Sequence, residues 1–318
     1  MNRRAAICHP RSFSTLFEQR PSSESLIAPC VGCVKWGHPF LTFELCSSDP
    51  AILARAETVF RPWRSGASAQ ASQRWWVEPV DGADGAAARR WKIRSDGSGK
   101  VAFGNTLEHA LIVVEFLAIE SLVENRNGPL SLHGALVEKS GNSCMILGRK
   151  EAGKSTLACA LWQRDWTLLC DDTTIVETKT GRAFPAPRRL SLRDTSRNLL
   201  GDQLWARILS TPSCDRYDER CLFHPDEIDQ KKRPGSTAPA ALIFLQRRES
   251  SAAPGKLERL EPADALLALF PYSNLRLNPG EAIRRIAPLA DRVRAYDLGR
   301  GPLEEMVHRV ERALAGGD

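Results

Sequence analysis

Residues 148–156 read GRKEAGKST, which matches the pattern G-x-x-x-x-G-K-[ST] through Gly148, Gly153, Lys154 and Ser155. The residues before this stretch are apolar and predict a strand, and those after it predict a helix. In such a loop the glycines let successive backbone N–H groups point at a di- or triphosphate, and the helix N-terminus adds partial positive charge. The sequence therefore predicts a phosphate-binding loop, and the alternative is a plain strand-to-helix turn.

The same loop predicts a nucleotide and a metal ion. Lys154 is expected to reach the β- and γ-phosphates, and the Ser155 hydroxyl is expected to bind Mg²⁺. The chain contains neither N-K-x-D nor T-K-x-D, the patterns that read guanine, which favours ATP over GTP. The predicted nucleotide-binding residues are Gly148, Arg149, Lys150, Glu151, Ala152, Gly153, Lys154, Ser155 and Thr156.

Two adjacent acids follow the loop. Asp171 and Asp172 end the apolar segment 166–172, seventeen residues after Lys154. A parallel neighbouring strand would deliver a carboxylate to Mg²⁺ at this point. The pair also offers one carboxylate for the metal and one to act as a base. The alternative is an acidic turn without a catalytic role.

The chain divides by composition into three segments. Residues 1–35 predict a loosely ordered polar tail, residues 36–127 a smaller α+β domain, and residues 128–318 the phosphate-binding domain. In the last segment hairpin patterns alternate with helical ones, which predicts an α/β fold with a mixed sheet. Helices are predicted over 49–60, 106–125, 153–165, 261–270, 282–293 and 302–316, and strands over 39–45, 74–80, 130–139, 143–148, 166–172, 238–249 and 294–299.

Composition limits the class of protein. The formal net charge is +6 over 318 residues with acids and bases interspersed, so no nucleic-acid partner is expected. No segment reaches the roughly 18 apolar residues of a membrane span, and the N-terminus lacks the apolar region of a secretory signal. Nine cysteines without a disulfide-like spacing favour a reducing cytoplasm. Cys30 and Cys33 form a lone C-x-x-C motif without the second pair of a zinc site.

Residues 133–172, HGALVEKSGNSCMILGRKEAGKSTLACALWQRDWTLLCDD, resemble the catalytic core of the HPr serine kinase/phosphorylase family. The shared features are an HG-x-L-V hairpin, the loop, a helix, and a strand ending in Asp-Asp at the same spacing. The resemblance implies a fold related to phosphoenolpyruvate carboxykinase and an ATP-dependent phosphorylation of a hydroxyl group on a protein, peptide or small molecule. Glu151 stands where the family usually has glycine, and the L-E-I-R-G signature tied to dephosphorylation is missing, so phosphorylase activity is not expected.

The resemblance also implies roles for individual residues. Lys154 and Ser155 would handle the phosphates and Mg²⁺. Asp171 would be the base that takes the hydroxyl proton, and Asp172 would assist with the metal. His133 would lie beside the phosphates. The alternatives are a strand-end histidine bonded to backbone at His133 and an acid capping the next turn at Asp172.

Three arginines, Arg188, Arg189 and Arg193, follow the acids. A guanidinium near a transferred phosphoryl group would stabilise its charge, and Arg189 is the preferred catalytic candidate; a solvated basic strand edge is the alternative.

One rival function is a P-loop ATPase or nucleotide-binding regulator without an acceptor, which a buried Asp171 would favour. Another is an interaction module ordered by nucleotide, which an inward-pointing Glu151 would favour. A homo-oligomer is compatible with the sequence.

Overall fold

The computed structural model describes residues 32–64, 72–80, 90–96, 100–124, 129–186, 188–231, 233–245, 256–274 and 279–315. The chain divides into two compact units, an N-terminal unit (Met1–Glu120) and a C-terminal unit (Ser121–Asp318). This division falls inside a predicted helix. The three-segment division read from composition stays a prediction.

The elements of the described residues follow in chain order. The strands are β1 (Gly32–His38), β2 (Leu41–Ser47), β3 (Ser72–Val80), β4 (Arg90–Ser95), β5 (Val101–Gly104), β6 (Leu130–Leu132), β7 (Gly134–Lys139), β8 (Asn142–Gly148), β9 (Thr167–Cys170), β10 (Thr174–Val176), β11 (Ala183–Pro185), β12 (Leu190–Arg193), β13 (Asp215–Tyr217), β14 (Arg220–Phe223), β15 (Pro239–Leu245), β16 (Leu257–Leu260) and β17 (Arg294–Leu298). The helices are α1 (Pro50–Val59), α2 (Leu107–Glu124), α3 (Lys154–Gln163), α4 (Arg197–Leu200), α5 (Asp202–Leu209), α6 (Asp226–Asp229), α7 (Pro262–Leu269), α8 (Pro279–Arg292) and α9 (Leu303–Leu314). Among these described helices, none is long and apolar enough to cross a bilayer.

The N-terminal unit contains an open sheet in the order β1-β2-β3-β4-β5. β2 and β3 are parallel, and the other neighbouring pairs are antiparallel. α1 begins after Asp49, whose carboxylate accepts a hydrogen bond of 2.8 Å from the backbone N–H of Ala51. α2 begins after Thr106, whose hydroxyl accepts one of 3.1 Å from the N–H of His109. Both predicted helix starts are therefore confirmed.

Cys33 of β1 and Cys46 of β2 form a disulfide across this sheet. The lack of a disulfide-like spacing in the sequence therefore does not exclude a disulfide. The β1–β2 hairpin brings together two sulfurs that are 13 residues apart in the sequence, and linear spacing does not show such a pairing. Bonded to Cys46, Cys33 is not a zinc ligand, and Cys30 lies outside the described residues. A cytoplasmic location stays a prediction, without its cysteine argument.

The core of the C-terminal unit is a mixed sheet in the order β16-β17-β15-β8-β7-β9. β8, β15 and β17 are parallel, whereas the other neighbouring pairs are antiparallel. Side chains of α3 and α9 pack on one face, and those of α7 and α8 pack on the other. A sheet covered on both faces needs strands that are apolar throughout, as in β15, where residues 241–245 are fully buried. The predicted α/β class with a mixed sheet is confirmed.

Two small sheets, β11-β10-β6 and β12-β14-β13, complete the C-terminal unit. The first divides the strand predicted over 130–139, because β6 pairs with β10 whereas β7 pairs with β8. The chain changes sheets at His133. In the second sheet the sequence predicts neither β13 nor β14, since these strands have only three or four residues and show no usable period.

The strand that precedes Asp171 and Asp172, β9, is not the direct parallel neighbour of β8 that the sequence predicts. The sequence predicts a parallel neighbour of the loop strand, but β9 pairs antiparallel with β7, which lies between β9 and β8. Because both β8 and β9 run antiparallel to β7, they point in the same direction. Their C-terminal ends, Gly148 and Cys170, therefore lie at the same edge of the sheet.

Candidate active site

The G-x-x-x-x-G-K-S stretch joins β8 to α3. β8 ends at Gly148, and α3 begins at Lys154. Within the loop the N–H of Ala152 donates a hydrogen bond of 3.1 Å to the carbonyl of Arg149. Gly153 has a φ of +96°, a left-handed conformation that costs a side-chain-bearing residue about 1–2 kcal/mol. The chain therefore has the strand–loop–helix arrangement that phosphate binding requires.

Lys154 is folded back onto the loop. Its Nζ donates hydrogen bonds of 3.0 Å to the carbonyl of Gly148 and 3.2 Å to that of Arg149. The residue is buried although it carries an ammonium group. A buried ammonium needs polar partners, and these carbonyls supply them. Its positive charge thus lies inside the curve of the loop.

Glu151 is directed to an arginine of the second small sheet. Its φ is +68°, so it occupies a left-handed position where glycine is the favoured residue. Its Oε1 lies 2.7 Å from a terminal nitrogen of Arg193, and both side chains are largely exposed. The carboxylate charge is therefore compensated by a cation.

Ser155 and Asp171 are in direct contact. The Ser155 hydroxyl donates a hydrogen bond of 2.6 Å to Oδ1 of Asp171, and the N–H of Ser191 approaches Oδ2 at 3.3 Å. Burial raises the pKa of Asp171, and the charge of Asp172 adds to that increase, against the opposing hydrogen bonds and Lys154. A hydroxyl and a carboxylate at the N-terminus of α3 are oxygen ligands of the type that Mg²⁺ uses.

Asp172 forms a second pair with His133. Oδ1 of Asp172 lies 3.1 Å from Nδ1 of His133, and Oδ2 accepts a hydrogen bond of 2.7 Å from Arg188. Partial desolvation acts to raise the pKa of Asp172, but His133, Arg188 and Lys154 together lower it. Desolvation lowers the pKa of His133 below 6.5 in spite of Asp172. A neutral His133 that donates through Nδ1–H leaves a lone pair on Nε2.

Backbone contacts fix His133 beside Asp172. The N–H of His133 donates to the carbonyl of Tyr272 at 2.8 Å, and the N–H of Gly134 donates to the carbonyl of Asp172 at 3.1 Å. A Cβ at Gly134 would lie 2.7 Å from the carbonyl oxygen of Ile146, so only glycine fits there. The glycine that follows His133 therefore has a steric cause.

Arg189 does not join this cluster. Its guanidinium is fully buried, pairs with Asp215 and donates to the carbonyl of Ser213 at 3.2 Å. The choice of Arg189 as the catalytic arginine is therefore not supported by its position. Arg188, its neighbour, contacts Asp172 instead. In an extended segment adjacent side chains point to opposite sides, so neighbouring arginines face different surroundings.

Arg220 of β14 is a site candidate that the sequence analysis missed. A terminal nitrogen of Arg220 donates to the hydroxyl of Ser191 at 3.0 Å, on the strand that contacts Asp171. Burial lowers the pKa of Arg220, and nearby Arg193 adds to that effect, whereas Asp171 and Asp172 oppose it. No motif marks Arg220, because it reaches the site through strand pairing of β12 with β14.

These features define a mixed α/β protein in which a G-x-x-x-x-G-K-S junction lies beside two differently bonded acids. No protein-family model matches the chain, and no curated protein matches it either. Among solved structures, that of the Hpr(Ser) kinase/phosphatase from Coxiella burnetii is similar over 57% of this chain and 96% of that chain, with 15% sequence identity and a TM-score of 0.27. At that TM-score the likeness does not define a function.

Proposed function

We propose that this protein is an ATP- and Mg²⁺-dependent phosphotransferase that moves the γ-phosphoryl group to a hydroxyl of a protein, peptide or small molecule. The observation that carries the proposal is that two carboxylates with different partners lie at one sheet edge. Asp171 is bonded to Ser155, and Asp172 is paired with His133. Asp171, bonded to the half-buried Ser155 next to the loop, is buried, whereas His133 and Asp172 each keep 41% of the side chain exposed. The first pair suits a metal ion, and the second can meet an incoming acceptor.

The charged groups around the loop fit a bound triphosphate. Lys154 and the N-terminus of α3 would hold the phosphates, and Ser155 and Asp171 would hold Mg²⁺. When bound, Mg²⁺ would supply positive charge to the β- and γ-phosphate oxygens. Arg188 adds a further cation beside Asp172. ATP is proposed over GTP because the chain lacks the guanine-reading patterns.

His133 is proposed as the proton acceptor, with Asp172 as its positioning partner. Nε2 of His133 takes the proton of the acceptor hydroxyl, whose oxygen forms the new bond to the γ-phosphorus as the bond to the β–γ bridging oxygen breaks. Asp172 holds the proton on Nδ1 and stabilises the imidazolium that forms. This arrangement differs from the one implied by family resemblance, in which Asp171 is the base. Supporting the change, Asp171 is only 6% exposed and is bonded to Ser155.

The test compares three site variants with a matched histidine control, His308→Gln, on an exposed part of α9. Lys154→Ala should weaken ATP binding roughly ten- to hundredfold, because it removes a charged hydrogen-bond donor. Asp171→Asn should raise the Mg²⁺ concentration for half-maximal ATP binding by about tenfold or more. His133→Gln should keep ATP affinity within a few-fold and lower turnover by roughly two to four orders of magnitude.

The measurements are nucleotide affinity by calorimetry and phosphoryl transfer by phosphate release and intact mass of candidate acceptors. If His133→Gln transfers phosphate at the wild-type rate, His133 is not the base. If Asp171→Asn then loses transfer while its Mg²⁺ requirement for ATP binding is unchanged, Asp171 is the base and the roles are reversed. If no variant changes ATP binding, the loop does not hold a nucleotide.

A second candidate is a P-loop ATPase or nucleotide-binding regulator without an acceptor. The burial of Asp171 favours it, since a sealed carboxylate cannot meet an acceptor hydroxyl. In that case ATP hydrolysis should be unaffected by every acceptor tested, and no acceptor should gain the mass of a phosphoryl group. The exposed His133–Asp172 pair is the reason for preferring the transferase.

A further inference from the structure

Two thiols of the second small sheet lie unusually close together. Cys214 immediately precedes β13 and Cys221 lies in β14, and both are free cysteines with their sulfurs 3.0 Å apart. Sulfurs bonded in a disulfide are separated by about 2.05 Å. A contraction of about 1 Å would therefore bring the two sulfurs to bonding distance.

The backbone around the pair already has the geometry of a closed hairpin. β13 and β14 are antiparallel, with Arg216 opposite Cys221. The turn between them consists of Asp218 and Glu219, both with positive φ, as in the tight turns that join two twisted strands. Cys214 lies two residues before Arg216, on the same side of β13, so it is a diagonal neighbour of Cys221. The strand register therefore places the two side chains on the same face of the hairpin, with their sulfurs 3.0 Å apart.

The two thiols have different chemical environments. Cys221 is fully buried, whereas Cys214 is partly exposed. The hydrogen bond from Cys221 lowers the pKa of Cys214, and the same contact raises that of Cys221. The three other free thiols of the described residues, Cys144, Cys159 and Cys170, are buried and have raised pKa values. Among these free thiols Cys214 is thus the accessible nucleophile, and the sulfur of the buried Cys221 lies 3.0 Å from it.

We propose that Cys214 and Cys221 form a thiol–disulfide exchange site that takes a small-molecule disulfide as its oxidant. Cys214 is the attacking sulfur, and Cys221 is the resolving sulfur. The proposal is independent of the phosphotransferase activity, because it rests on the hairpin and not on the loop.

The chemistry balances in two exchanges. The Cys214 thiolate attacks one sulfur of the oxidant, forming a mixed disulfide and releasing one thiolate. Cys221, as its thiolate, then attacks the Cys214 sulfur, forming the protein disulfide and releasing the second thiolate. Each released thiolate takes up one of the two protons lost by the cysteines. The protein dithiol is oxidised by two electrons, and the small disulfide is reduced to two thiols.

The experiment treats the reduced, full-length protein with oxidised glutathione and maps the cysteines by tryptic digestion. Trypsin cleaves after Arg216 and Arg220, so the two cysteines leave on separate peptides unless a disulfide joins them. We expect a linked pair of peptides in the wild type, which dithiothreitol separates. Cys221→Ala should instead retain glutathione on Cys214, because the resolving sulfur is gone. Cys214→Ser should show neither product at this site, and Cys144→Ser should behave as the wild type.

A parallel reaction in urea guards against variants that fail to fold. The linked peptides should form at least about tenfold faster in the native wild type than in unfolded protein, because the fold holds the two sulfurs together. Equal rates in native and unfolded protein would overturn the proposal. So would a stable glutathione adduct on Cys214 of the native wild type without linkage to Cys221.

Discussion

The left-handed residue in the loop between β8 and α3 gives a stability prediction that three variants can test. Glu151 has a φ of +68° and pairs with Arg193 at 2.7 Å. The left-handed conformation costs a non-glycine residue about 1–2 kcal/mol, whereas glycine pays about 0.5–1 kcal/mol of additional backbone entropy on folding. The ion pair contributes at most about 1 kcal/mol, because its side chains are 61% and 44% exposed.

Glu151→Ala keeps the unfavourable conformation and loses the ion pair, so its free energy of unfolding should fall by about 0–1 kcal/mol. Glu151→Gly loses the pair but relieves the conformation. It should therefore be more stable than Glu151→Ala by about 0.5–1 kcal/mol, the difference between the conformational and entropic terms. Arg193→Ala should cost as much as Glu151→Ala in the wild-type background and nothing further when combined with it.

The assay is urea unfolding followed for the transition of the C-terminal unit, with midpoints compared at constant slope. A Glu151→Ala protein as stable as Glu151→Gly would refute the reasoning, since residue 151 would then not need a left-handed backbone. A difference larger than about 2 kcal/mol would also count against it, because the conformational term cannot supply that much.

Three further predictions concern buried charge and pH. Arg189→Ala should lower the free energy of unfolding by about 3–5 kcal/mol, because it removes the guanidinium that pairs with the buried Asp215 carboxylate; urea unfolding measures this, and an effect below about 1 kcal/mol would contradict the ion pair. Phosphoryl transfer should decline on the acid side with an apparent pKa below 6.5, since the pKa of His133 is lowered and the base must be neutral; a pH profile of kcat/KM measures it. In Asp172→Asn that limb should move to still lower pH, because the carboxylate that raises the pKa of His133 is gone; a shift to higher pH would exclude their interaction.

The sequence predicts well those parts of the fold that depend on neighbours in the chain. A contiguous motif flanked by clear periodicities predicts the loop together with β7, β8 and α3. Capping residues at fixed offsets predict the starts of α1 and α2. Each is determined within one or two turns of backbone. A single sequence is therefore sufficient to predict these elements.

Contacts between distant residues follow a different rule. Arg220 approaches the acids because β12 pairs with β14, and Cys33 meets Cys46 because of a hairpin register. A register shift of one residue would turn every side chain to the opposite face, and no local pattern in the sequence specifies the register of either strand pair. The exchange of Arg188 for Arg189 is the same problem within a single extended segment. The roles of the two acids likewise depend on which partner each one faces.

Because the chain changes sheets at His133, this residue should report the relative orientation of two sheets of the C-terminal unit. β6 belongs to one sheet and β7 to another, and the imidazole lies at the single residue between them. A small rotation between the two sheets would twist the backbone there and alter the 3.1 Å separation of Nδ1 from Asp172. The nitrogen-15 chemical shifts of this one ring should therefore register any ligand that changes the alignment of the sheets, wherever on the C-terminal unit it binds.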